Sequence, residues 1–95
     1  MTVDDFAKVT QKVIARDSFD GFLPTACFSQ RNHLAVLEGV PADADIQSVT
    51  VKWAISKAIP GEEILIAFKI DSSHFKIMRL LGDHSEERIF PVTIV

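Results

Sequence analysis

The run Ile64-Leu65-Ile66-Ala67-Phe68-Lys69-Ile70 constrains this chain more than any other segment. Ile64, Ile66, Phe68 and Ile70 alternate with Leu65, Ala67 and Lys69, the period of a β-strand. Both faces are partly apolar, which suits a central strand rather than an edge. Asp71-Ser72-Ser73 is a turn signal, and residues 75–81 supply the partner strand. With Ser72 and Ser73 as the loop, Ile70 would face Phe75, Lys69 would face Lys76, and Ala67 would face Met78. One face then collects Ile64, Ile66, Phe68, Ile70, Phe75 and Ile77, and this face is expected to take the helices. The other is polar near the turn, with Asp71, His74, Lys69 and Lys76. It becomes apolar farther along, through Leu65, Ala67, Met78 and Leu80.

The remaining segments surround this hairpin. Thr2 can cap a first helix, with Asp4 and Asp5 at the positive end of its dipole. Phe6, Val9 and Val13 form one stripe, with Thr10 and Ile14 beside it, and the helix is expected to end near Asp17. Residues 25–29 and 34–37 are short apolar runs joined by a tight turn at Gln30-Arg31-Asn32. Residues 46–58 are ambiguous. Val49, Val51, Trp53 and Ile55 alternate as in a strand, whereas Asp43, Asp45, Lys57 and Pro60-Gly61 frame a helix. A helix would be apolar on two sides, Ile46/Val49/Trp53 and Val51/Ile55/Ala58. Helix is preferred, with the strand left open. Residues 82–87 read as a polar loop and 89–95 as a last strand, placed at a sheet edge because Pro91 lacks an N–H. The expected architecture is one α+β domain over residues 1–95 in the order α-β-β-α-β-β-β. Its mostly antiparallel sheet would have two helices packed on one face.

Composition bounds the function. The 95 residues are 47% hydrophobic and 24% charged, with a formal net charge of −3. That balance offers no basic field for nucleic acid. No apolar stretch approaches the ~20 residues of a membrane span. A single cysteine, Cys27, forms no internal disulfide, and the first residues show no signal peptide, so the cytoplasm is expected.

Catalytic signals are weak. Asp71, Ser72 and His74 include the residue types of a hydrolase triad, but near-adjacent positions do not converge, and turn chemistry accounts for them. His33, His74, His84 and the neighbouring acids lack metal-ligand spacing, and no metal or cofactor is expected. Lys69 and Lys76, with His74, form a candidate anion or partner contact, because opposed lysines repel and an anion would offset the repulsion.

The expected function is a small non-catalytic protein-interaction module that self-associates as a homodimer. The mean hydropathy of +0.20 is high for so short a chain and points to apolar area left for a contact surface. The expected interface is Leu65, Ala67, Met78 and Leu80, or the terminal strand. A heterologous version would mask a basic partner with Asp43, Asp45, Asp83, Glu86 and Glu87. The alternative is a small-molecule-binding protein or minor enzyme with a pocket near Cys27, His33 and His74.

Overall fold

The computed structural model describes residues 1–15, 25–41 and 43–92. Its elements are α1 (Val3–Ala15), β1 (Ala26–Gln30), β2 (His33–Leu37), α2 (Ile46–Lys57), β3 (Ile64–Lys69), β4 (His74–Leu81) and β5 (His84–Pro91). The strands form one antiparallel sheet in the order β2-β1-β3-β4-β5. The α+β class and the element order are as the sequence indicates. The expected end of the first helix near Asp17 and the end of the last strand lie outside the described residues.

Thr2 caps α1: its hydroxyl accepts from the Asp5 amide at 3.1 Å. The buried stripe is Val3, Phe6, Ala7, Thr10 and Ile14, one helical face at i, i+3, i+4 spacing. Val9, assigned to the core stripe by the sequence, is 49% exposed. Thr10 takes the buried side because its hydroxyl donates to the Phe6 carbonyl at 2.7 Å, so no polar atom is stranded there.

The ambiguous segment is a helix, and its ends decide it. Asp45 accepts from the Ser48 amide at 3.3 Å and from the Ser48 hydroxyl at 3.0 Å. These bonds hold the Asp45 carboxyl below its usual range. The two apolar sides of α2 flank a narrow line of buried small residues, Thr50 and Ala54. Ile46 and Trp53 grip the sheet on one flank, Val51 and Ala58 on the other. Trp53 meets Phe28 edge to face, with ring centroids 5.9 Å apart.

The helices cover opposite faces of the sheet, not one. α1 packs with Cys27, Leu65, Ala67, Phe75 and Ile77. α2 packs over Ala26, Phe28, Ile64, Ile66, Phe68 and Met78. Those two sets alternate along the strands, so they belong to opposite faces. The apolar residues on both sides of β3 are thereby all used, and the whole strand is buried.

The β3–β4 register differs from the expected one by a single residue: Lys69 pairs with Phe75, Phe68 with Lys76 and Ala67 with Ile77. The Asp71 side chain causes the change. Its Oδ1 accepts from the Ser73 and His74 amides at 2.7 and 2.8 Å. That Asx turn spends more chain on the loop than a two-residue hairpin does. A one-residue slip exchanges which partner residues share a face. The expected polar loop at 82–87 is instead mostly strand. Leu81 pairs with His84 around a tight turn at Gly82 and Asp83, where Gly82 adopts φ +58°. Pro91 does lie on an edge strand, β5, as its missing N–H requires.

Candidate functional site

The register separates the residues that the sequence grouped. Lys69 lies on the α1 face and is 3% exposed; Lys76 lies on the α2 face. Lys76 donates to Gln47 Oε1 at 3.2 Å and pairs with Glu87 at 3.5 Å. His74 stands at the β3–β4 turn, where Nδ1 lies 3.1 Å from Asp71. The three do not form one anion site.

Leu65, Ala67, Met78 and Leu80 do not form one free face either. Leu65 and Ala67 are buried under α1, whereas Met78 and Leu80 belong to the α2 side. Cys27 is fully buried. His33 begins β2 at the end of the sheet opposite His74, so no cleft joins the thiol to two imidazoles. Among the described residues, no group of three His, Cys, Asp or Glu side chains is placed to hold a metal. No helix among them is long and apolar enough to cross a membrane.

Two other surfaces emerge. The first is the outer edge of β2, His-Leu-Ala-Val-Leu. Among the described residues, β2 pairs with β1 on one side and with no strand on the other. The hairpin before it turns through Arg31 and Asn32, both at positive φ (51° and 65°), the geometry that matches strand twist in a two-residue turn. Leu34 and Val36 point to the α1 face, opposite Ser29 and Cys27, and are 46% and 42% exposed. No residue of β2 carries a formal charge with its histidine neutral. The other edge, β5, contains Glu86, Glu87, Arg88 and Pro91, which are the features that discourage edge pairing.

The second surface is an open groove of about 420 Å³ on the α2 face, lined by Val51, Ile55, Ala58, Ile64 and Leu80 and closed by the 59–62 segment and Gly82. Gln30, at the end of β1, fixes that segment. Its Nε2 donates to the Ile59 carbonyl at 3.1 Å, and its Oε1 accepts from the Ile59 amide at 2.7 Å. Arg31 then pairs with Glu62, Nε to Oε1 2.9 Å. The sequence offered both apolar runs, but not their places. Strand order makes β2 an edge, and a hydrogen bond across 29 residues builds the groove wall.

Comparison with protein-family models, with curated proteins and with solved structures gives no match.

Proposed function

We propose that this protein is a cytoplasmic, non-catalytic interaction module that self-associates through the outer edge of β2. The observation that carries this reading is the contrast between the two edges. β5 presents charges and a proline, whereas β2 presents backbone that no other strand among the described residues pairs with, beside exposed Leu34 and Val36. An uncharged, apolar edge is the kind that accepts another strand.

A second copy fits this edge by symmetry. A two-fold axis perpendicular to the sheet keeps each face continuous, so opposed residues must share a face. Centring the axis on Ala35 pairs Leu34 with Val36, His33 with Leu37 and Asn32 with Glu38. Leu34 and Val36 of both copies then form one apolar cluster on the α1 face, and no like charges oppose one another.

Sedimentation velocity on the full chain tests this. A dimer at tens of micromolar is expected, and Val36→Lys should return it to a monomer with an unchanged far-ultraviolet dichroism spectrum. Leu34→Lys should do the same, and Ile89→Lys on β5 should not. A wild-type monomer at several hundred micromolar, or a dimer that survives both β2 variants, would overturn the proposal.

A further inference from the structure

We infer that the groove beside the C-terminal half of α2 binds a small amphiphilic amine, an alkyl chain ending in an ammonium group. The apolar requirement comes from its walls. Val51, Ile55, Ala58, Ile59, Ile64 and Leu80 line about 420 Å³, within the range of small-ligand sites. Ile55 and Ile59 at its mouth are 59% and 46% exposed, apolar area that a seated hydrocarbon would remove from water. The cavity is held open in advance. Gln30 clamps Ile59 from below through two hydrogen bonds, so little ordering is required on binding.

The cationic requirement comes from two independent features. Glu62 is the one ionisable residue in the lining. Its Oε1 is engaged by Arg31, whereas Oε2 is buried and has no hydrogen-bond partner among the described residues. A carboxylate accepts several donors, so Glu62 has capacity to spare. Its side chain is 32% exposed and lines the groove. The second feature is the negative end of α2, whose last turn runs along the same groove from Ile55 to Ala58. A carboxylate ligand would bring no donor to either acceptor, and a neutral alcohol would donate one hydrogen bond but carry no charge to the site.

The groove floor is β3 and β4, with β1 between it and β2. No residue of β2 lines the groove, so its test is read at residues other than those of the β2 edge.

Amide chemical-shift titration of the labelled full chain tests the inference, with octylammonium, octanol and octanoate as probes at neutral pH. Octylammonium should shift the amides of Val51, Ile55, Ile59, Gly61 and Gly82 and bind about tenfold more tightly than octanoate, with octanol between them. Glu62→Gln should reduce the preference over octanol severalfold while the spectrum stays dispersed. Ile55→Lys, which tethers an ammonium at the mouth, should abolish binding. Equal binding of the three probes, shifts elsewhere on the surface, a preference untouched by Glu62→Gln, or binding that survives Ile55→Lys would each overturn it.

Discussion

Thr10 and Thr50 are both fully buried in helices and differ in the fate of one oxygen. Thr10 Oγ1 donates to the Phe6 carbonyl, whereas Thr50 Oγ1 has no hydrogen-bond partner among the described residues. An unsatisfied buried hydroxyl costs free energy that a methyl group of the same shape does not. Thr50→Val is expected to raise stability by about 1 kcal/mol, and Thr10→Val to lower it by a similar amount, in denaturant unfolding. Asp71 gives a pH-dependent case. Amide donation from Ser73, helped by His74, holds its carboxyl below the usual aspartate range. A carboxylate with a depressed folded-state pKa adds stability above its unfolded pKa, and that stability is lost as pH falls through the folded value. The melting-temperature gap between wild type and Asp71→Ala should be full at pH 7 and close as pH drops below about 4. Thr2, Asp45 and Asp71 were legible because caps and Asx turns are local chemistry. The exposure of Val9 was not, since spacing alone does not fix how a helix is rotated on a sheet.

Elements are joined by contacts that no single segment announces. Gln30 on β1 holds Ile59 beyond α2, and Arg31 holds Glu62 before β3. Gln30 is buried, so its removal leaves two backbone groups of Ile59 to find other partners. Gln30→Ala should cost roughly 1–3 kcal/mol and speed amide exchange at Ile59 more than at Ile66 in the sheet centre. The hairpin at 70–74 shows how a side chain outranks a pattern. Alternation identified both strands, yet the Asp71 hydrogen bonds set the loop length and hence the register. Alternation is blind to register, because a slip of one residue leaves each strand's own period intact. The helix at 46–57 carried the alternation of a strand and was settled by its ends, with Asp45 as the cap.

At the scale of the whole molecule, the sheet is a central layer with a helix on each side. Both faces of β3 are apolar for that reason, and the sequence already carried the signal. Among the described residues, the sheet edges and the margin of α2 are left uncovered, and those are the surfaces open to a partner. If β2 pairs with a second copy, folding and association are linked, and the melting temperature must depend on concentration. A tenfold rise in protein should raise it by about 3 °C, given the usual entropy of unfolding per residue. Val36→Lys should show no such dependence in differential scanning calorimetry.

Local periodicity, caps and turn residues determined the α+β class, the seven elements and their order, since each depends on neighbours within a few residues. Tertiary structure decided the face each helix covers, the hairpin register, which strand became the uncharged edge and where the groove opens. Those choices depend on which distant segments exclude water together and which buried polar atoms find partners, and neither property is written in any one stretch of chain.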